Sequence, residues 1–175
     1  PWVRLQTAAY SLLADPVEFT ADGHIYALNG LRFPSVTGIL KAEGFIDDRF
    51  FDDYSRDRGT FVHLATHLDD TGDLDEDTID PVIMPYLEAW RRFKEESGFI
   101  VEQSEISLAN TTYNYAGTID RIGRFPSGSI TRAAVELHND GTYKLYPFTD
   151  RTDKHIWLSV VAVHHWKQNN LRGGK

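Results

Sequence analysis

The spacing of apolar and polar positions changes several times along the chain, and each change marks a predicted element. Residues 2–13 carry apolar side chains at helical spacing and stop at Asp15-Pro16, which predicts a short amphipathic helix. Alternating runs around Asp22-Gly23 and Asn29-Gly30 predict a small β-meander. Ser35 is the expected N-cap of the helix that follows.

Longer helices and a series of strands follow the meander. Helical spacing predicts helices over 48–68 and 81–97, and the second of these stops at Gly98. The later part of the chain alternates with period two and then returns to helical spacing, which predicts strands over 100–108, 113–124, 131–138 and 143–148 and a last helix over 150–170. This order predicts an α/β or α+β fold with a central mixed sheet flanked by helices.

We expect one domain over residues 1–175. It divides into an opening helix (1–15), a meander with helices (16–98), and a core sheet with a terminal helix (99–175). The longest apolar runs fall well short of the roughly 20 residues that a membrane helix needs. The expectation is therefore a soluble, cytoplasmic protein with no membrane partner.

Composition narrows the possible chemistry. The chain has no cysteine, which excludes disulfides, thiol catalysis, cysteine-ligated zinc and iron–sulfur clusters. Its 18 basic and 26 acidic residues give a net charge of -8, which disfavours passive coating of DNA. A carboxylate site whose metal ion supplies the positive charge stays open. Much of the acidic excess lies within 69–80, interpreted as a solvated loop and helix start.

Asp120 is the most informative candidate, because it lies in an otherwise apolar strand soon after Gly117. A buried carboxylate needs a cation, a basic side chain or several N–H donors. Arg121, Arg124 and Arg132 are the basic side chains that could pair with it. The residue type alone leaves a metal site and an ion pair open.

Histidines supply the next candidates. His63 and His67 are four residues apart and share a face of the predicted helix, either as a packed pair or as metal ligands. The zinc signature H-E-x-x-H is absent, because position 64 holds Leu64. On a later strand, Glu136 and His138 point to the same side, either as an acid with a donor or as an exposed edge.

Four motifs together resemble one enzyme family. They are Gln6-x-x-x-Tyr10, Pro34-Ser35-Val36-Thr37, Arg58-Gly59-x-x-x-His63 and Gly117-x-x-Asp120. In combination, and over nearly the whole chain, they resemble the RecB-type, λ-exonuclease-like branch of the PD-(D/E)XK nuclease superfamily, especially its phage-borne members.

The resemblance implies a restriction-endonuclease-like core and a metal-dependent hydrolase. Asp120 would ligate Mg²⁺ or Mn²⁺, with His63 assisting and Glu136 as a further ligand. Gln6 and Tyr10 would act with them in catalysis and, with Arg58, bind the DNA substrate. Hard oxygen ligands suit Mg²⁺ and Mn²⁺.

The chain departs from the family pattern in two places. The D/E-x-K pair expected after Asp120 is missing, and the nearest slot holds Glu136-Leu137-His138. The Q-x-x-x-Y segment, which normally follows that pair, opens this chain instead. Either a natural rearrangement or a missing stretch between Ile130 and Pro1 accounts for this order.

The sequence therefore leaves three functions open. The first is a metal-dependent DNA exonuclease of phage recombination or repair, working on linear or single-stranded DNA ends in the bacterial host cell. The second keeps the fold without catalysis and binds DNA ends or a phage recombination partner. The third is an acidic regulatory phage protein. All three are expected to be independent of a membrane.

Overall fold

The computed structural model describes residues 2–7, 15–20, 23–47, 52–128 and 132–171. Within them the fold is mixed α+β, as the sequence predicts. The chain divides into two compact units: the first comprises the described parts of Pro1–Ser11, Phe51–Ile106 and Ile119–Thr149, and the second those of Leu12–Phe50, Ser107–Thr118 and Asp150–Lys175. A single domain over 1–175 stays a prediction.

The described residues form nine strands, four α-helices and one short 3₁₀ helix (Glu76–Thr78). The strands are β1 (Trp2–Thr7), β2 (Asp15–Pro16), β3 (Glu18–Thr20), β4 (Ile25–Leu28), β5 (Leu31–Phe33), β6 (Ile100–Asn110), β7 (Tyr115–Arg124), β8 (Arg132–Leu137) and β9 (Tyr143–Pro147). The helices are α1 (Val36–Ala42), α2 (Asp53–Thr71), α3 (Met84–Ser97) and α4 (Asp153–Asn170). The predicted meander, the four later strands and the helices after residue 35 are thus confirmed, with shifted ends. None of the described helices has the length and apolarity needed to cross a bilayer.

The predicted opening helix is wrong over the residues that the structure describes. Trp2–Thr7 form β1, which pairs in parallel with β7 and antiparallel with β8. This segment also alternates with period two, and pairing on both sides satisfies backbone groups that a helix of this length leaves mostly open. Residues 8–14 lie outside the described residues, as does the join between 130 and 131.

The sheet of the first unit is mixed and has the strand order β6-β7-β1-β8-β9. Helix α3 packs against β8 and β9, and α2 packs against α3. Trp90 and Phe93 of α3 are fully buried, and their stacked rings have centroids 5.3 Å apart. They share one core with Val62 of α2 and Val135 of β8, which fixes α2 relative to the sheet.

The second unit holds the meander β3-β4-β5, α1, α4, and the turn ends of β6 and β7. The buried Tyr26 hydroxyl lies 3.0 Å from the Thr118 hydroxyl. The Ser35 hydroxyl caps α1 by accepting the backbone N–H of residue 38 at 2.9 Å, which confirms the predicted cap. A Cβ added to Gly117 would lie 3.1 Å from Val36, so close packing explains that glycine.

The acidic stretch 69–80 is only partly solvated, so its interpretation as a solvated loop is wrong for its first two residues. The side chains of Asp69 and Asp70 are 11% and 1% exposed. They end α2 opposite basic residues of α3: Lys94 lies 2.9 Å from Asp69 and 2.7 Å from Asp70, and Arg91 lies 2.6 Å from Asp69. Together with Arg121 of β7, which binds Asp70, these residues are called the ion cluster below.

Candidate metal centre

Three side chains that can ligate a metal meet in the first unit. They are His63 of α2, Glu105 of β6 and Asp120 of β7. The His63 Nδ1 atom lies 3.5 Å from Glu105 Oε1 and 3.9 Å from Asp120 Oδ1. One ligand atom from each residue lies within 4.8 Å of the others, and this is the one such group among the described residues. We call these three residues the ligand cluster.

The hairpin of β6 and β7 brings the two carboxylates together. The strands are neighbours in the sheet and are joined by a turn over 111–114. Glu105 and Asp120 stand at equal counts from that turn, which is where an antiparallel hairpin brings residues side by side. Helix α2, held by the core, then places His63 against both.

A backbone irregularity directs Glu105 toward α2. Its φ of 54° lies in the left-handed region, which is uncommon for a residue with a side chain. In a regular strand, consecutive side chains point to opposite faces. Here Ser104 and Glu105 both reach α2, because the Ser104 hydroxyl lies 2.8 Å from His67 Nδ1 while Glu105 contacts His63. Such irregularities re-aim side chains and are frequent beside functional sites.

Arg121 joins the ligand cluster to the ion cluster. Its side chain is fully buried, and its Nη1 lies 2.9 Å from Glu105 Oε1. Its Nε binds the Asp70 carboxylate, and its Nη2 donates to the Thr66 hydroxyl at 2.8 Å. Toward Asp120 it donates to the backbone carbonyl, at 2.6 Å. The guanidinium is therefore fixed from several sides.

The charges of the ligand cluster shift the pKa values of its members. Burial lowers the pKa of His63, but the interaction with Glu105 and the charges of Asp120 and Glu105 outweigh it, so this pKa lies above its ordinary value. Burial raises the pKa of Glu105, but His63 and then Arg121 outweigh it, so this pKa lies below its ordinary value. Glu105 is therefore ionised near neutral pH, and a cation bound at His63 would compete with a proton for the imidazole.

The donor set fits a divalent cation. Two carboxylates and one imidazole can together hold a divalent cation, and this donor set does not by itself select one metal. The three side chains are neither sealed nor fully solvated, with exposures of 31% for His63, 30% for Glu105 and 15% for Asp120. A small ion can therefore reach the ligand atoms while the surrounding protein limits screening.

The structure brings His63 and Asp120 together, but it does not bring Glu136 to them. The Glu136 carboxylate on β8 accepts a 3.0 Å hydrogen bond from the Tyr146 hydroxyl of β9 and lies 3.6 Å from His138 Nε2. The contact agrees with the prediction that Glu136 and His138 point to the same side of their strand. Glu136 is not a member of the ligand cluster, whose third member is Glu105.

Gln6, the first residue of the Q-x-x-x-Y motif, does not lie in a helix. Gln6 lies in β1, where its Cα pairs with Ile122 of β7 and Arg132 of β8. A strand residue does not share a helix face with a residue four positions on, so the predicted placement is wrong at Gln6. Tyr10 lies outside the described residues.

Arg58 lies on α2, the helix that also carries His63. Its guanidinium carbon lies 5.5 Å from the ring centroid of Tyr54 and 5.9 Å from that of Tyr86. Its Nε atom is buried without a hydrogen-bond partner. Stacking between two aromatic rings holds the side chain in place, and its role in substrate binding stays a prediction.

The sequence does not single out Glu105, and it does not predict the buried pairing of Arg121 with Asp70. One signal in the sequence could have indicated Glu105: it lies as many residues before the hairpin turn as Asp120 lies after it. The sequence offers Arg121 and Arg124 as partners of the Asp120 carboxylate, whereas the structure pairs Arg121 with Asp70 and Glu105, and Arg124 with Glu102 at 2.9 Å. The pairing of Asp70 with Arg121 depends on tertiary packing and has no local pattern.

The chain was also compared with known families and proteins. No family model, no curated protein and no solved structure matches it. The geometry of the ligand cluster and the motifs of the sequence are therefore the features that bear on function.

Proposed function

We propose that the protein is a metal-dependent DNA nuclease of the PD-(D/E)XK type, with a restriction-endonuclease-like core, that hydrolyses phosphodiester bonds. The observation that carries the proposal is the convergence of His63, Glu105 and Asp120 from three different elements. His63 lies 57 positions before Asp120 in the sequence, so no local pattern brings these two residues together, and both belong to the motifs of the resemblance.

Each member of the ligand cluster has a role in the proposal. Glu105 and Asp120 would hold Mg²⁺ or Mn²⁺ by their carboxylate oxygens, and His63 would complete the set with its imidazole. When bound, such an ion polarises a phosphate and lowers the pKa of water toward neutrality. Glu105 supplies the second carboxylate that the missing D/E-x-K pair leaves unassigned.

The proposed substrate is DNA with free ends. The net charge of -8 disfavours passive binding to a polyanion, so a cation at the ligand cluster would supply the local attraction. Contacts to phosphate position a strand without reading its sequence, which suits an exonuclease of phage recombination or repair acting in the host cytoplasm.

The test compares labelled linear and closed-circular DNA incubated with the protein and Mg²⁺ or Mn²⁺. Degradation of the linear form that EDTA stops supports the proposal. Asp120→Asn should abolish it, because one of the two carboxylates is lost, whereas Asp73→Asn changes an exposed acid outside the ligand cluster and should retain it. Full activity in EDTA, or in Asp120→Asn, contradicts the proposal.

A second candidate keeps the fold and lacks catalysis. The specific observation that favours it is the 2.9 Å contact between Arg121 and Glu105, which already supplies one cation to a carboxylate of the cluster. The protein would then bind DNA ends or a recombination partner. Retained binding to linear DNA without cleavage supports this candidate, and the absence of both activities supports an acidic regulatory protein.

A further inference from the structure

We propose that the ligand cluster binds a single divalent cation, and that Arg121 occupies the side of Glu105 where a second cation would bind. This inference rests on the metal-dependent function proposed above and specifies its ion stoichiometry. It concerns a guanidinium that the motifs of the sequence do not include.

The geometry places Arg121 on one of the two carboxylates of the ligand cluster. Its Nη1 lies 2.9 Å from Glu105 Oε1, the same oxygen that lies 3.5 Å from His63 Nδ1. The Asp70 carboxylate, the Thr66 hydroxyl and the backbone carbonyl of Asp120 hold the other donors of this fully buried side chain. The guanidinium cannot move aside without leaving these partners.

Charge balance also limits the ligand cluster to one divalent cation. An arginine side chain stays protonated in proteins, so Arg121 carries a permanent positive charge. Arg121 is paired both with Asp70, which is 1% exposed, and with Glu105, so the two carboxylates of the ligand cluster carry at most the negative charge that one dication needs. Any further cationic partner of these carboxylates lowers the available charge still more. A second dication would face the guanidinium in a half-buried site, where solvent screens repulsion weakly.

The number of ligands also favours one ion. Two-metal sites place their ions about 3.5–4 Å apart and need carboxylates that both ions can share. The ligand cluster contains two carboxylates among the described residues. Asp70, the next acid along this network, is engaged by Arg121 and by Lys94 at 2.7 Å.

Titration of the metal-free full chain with Mn²⁺ tests the stoichiometry, by calorimetry and by electron paramagnetic resonance. We expect one ion per chain and the spectrum of an isolated Mn²⁺. Two ions per chain with a spin-coupled spectrum overturn this inference and leave the proposed metal-dependent function standing. If no Mn²⁺ binds specifically, both the one-ion inference and the proposed metal-dependent function are overturned. The two results therefore distinguish the failure of the inference from the failure of the function.

Two variants test whether the charge of Arg121 sets this number. Arg121→Gln removes the positive charge beside Glu105 and one of the cationic partners of Asp70, so we expect a second Mn²⁺ to bind and Mn²⁺ to raise the melting temperature more than in the wild type. Arg121→Lys keeps the charge and should still bind one ion. Equal stoichiometry in both variants overturns the role of Arg121. If circular dichroism shows either variant to be unfolded, the wild-type titration still decides the stoichiometry.

Discussion

The ion cluster and the ligand cluster lie in the same unit, and Arg121 of the ion cluster contacts Glu105 of the ligand cluster, yet the spacing within the two clusters differs. In the ion cluster, Asp69 and Asp70 meet Arg91 and Lys94 at 2.6 to 2.9 Å, which is hydrogen-bond contact between opposite charges. In the ligand cluster, His63 lies 3.5 and 3.9 Å from its two acids. The first arrangement is closed by its own cations, whereas the second has the spacing of ligands around an ion. This difference in spacing is the basis for interpreting the ion cluster as structural and for proposing the ligand cluster as a metal site.

The largest effect should follow from breaking the ion cluster. Asp70→Asn removes the carboxylate that faces the buried Arg121 and also accepts from Lys94 and the Trp90 indole. Leaving a buried charge without its partner costs about 3–5 kcal/mol, so we expect the free energy of unfolding to fall by about 3 kcal/mol in urea titration. The exposed Asp73→Asn should stay within about 0.5 kcal/mol of the wild type. Equal losses of unfolding free energy in the two variants would contradict the structural role of the ion cluster.

Breaking the ligand cluster should affect metal binding more than folding. Glu105→Gln keeps the shape of the side chain and an oxygen acceptor for Arg121, but it loses the charge that attracts a cation. We expect Mn²⁺ affinity in calorimetry to fall about 100-fold, because the loss of an outer-shell partner alone costs 10–100-fold. Glu102→Gln on the same strand is the matched control and should bind Mn²⁺ like the wild type. A strong Mn²⁺ site in Glu105→Gln would exclude Glu105 as a ligand.

The His67–Ser104 contact should support the ligand cluster from outside. Ser104→Ala removes its 2.8 Å hydrogen bond beside the irregular backbone of Glu105, which should cost about 1 kcal/mol of stability and about tenfold in Mn²⁺ affinity. Ser107→Ala loses a comparable 2.8 Å contact, to Thr118, and should leave the affinity unchanged. Equal Mn²⁺ affinities in the two variants would show that Ser104 does not position Glu105.

The protonation of His63 predicts a pH dependence of stability in EDTA. Its pKa in the folded protein is raised, so the stabilisation is complete below the unfolded value of about 6.5 and is lost as pH rises through the folded value. We expect the wild type to exceed His63→Gln by about 1 kcal/mol or less at pH 5.5, with the difference shrinking at higher pH. A difference that grows with pH in urea titrations would contradict this.

The smallest expected effect concerns the helix that serves both clusters. A Cβ added at Gly59 within α2 meets nothing within 4 Å, so Gly59→Ala should stabilise the protein by about 0.5–1 kcal/mol without altering Mn²⁺ affinity. At Gly98, where φ is 66° and a Cβ would lie 2.8 Å from Pro126, the same change should destabilise it. Thermal melting of both variants shows whether each change stabilises or destabilises the protein. A loss of stability in Gly59→Ala would contradict the open surroundings of this glycine.

Periodicity predicted most elements because it reports directly which side of an element is buried. The helix of Trp90 and Phe93, the meander around Tyr26 and the cap at Ser35 all follow from local spacing or local hydrogen bonds. It failed at Trp2–Thr7, where helical and strand-like spacing coexist and long-range pairing with β7 and β8 decides the outcome.

The candidate site was predictable only in part. Asp120 and His63 stood out because an acid in an apolar strand and a histidine in a recognisable motif are visible in the sequence alone. Glu105 depends on the hairpin alignment and on a left-handed backbone angle, and Arg121 depends on acids from another element. Such contacts are set by tertiary packing, which single-sequence patterns do not encode.

A crystal grown with Mn²⁺ and measured at a wavelength where manganese scatters anomalously tests the central claim most directly. We expect one peak, about 2.0–2.4 Å from the His63 imidazole and from carboxylate oxygens of Glu105 and Asp120. A peak confined to the exposed acids near Asp75, or no peak at all at saturating Mn²⁺, would contradict it.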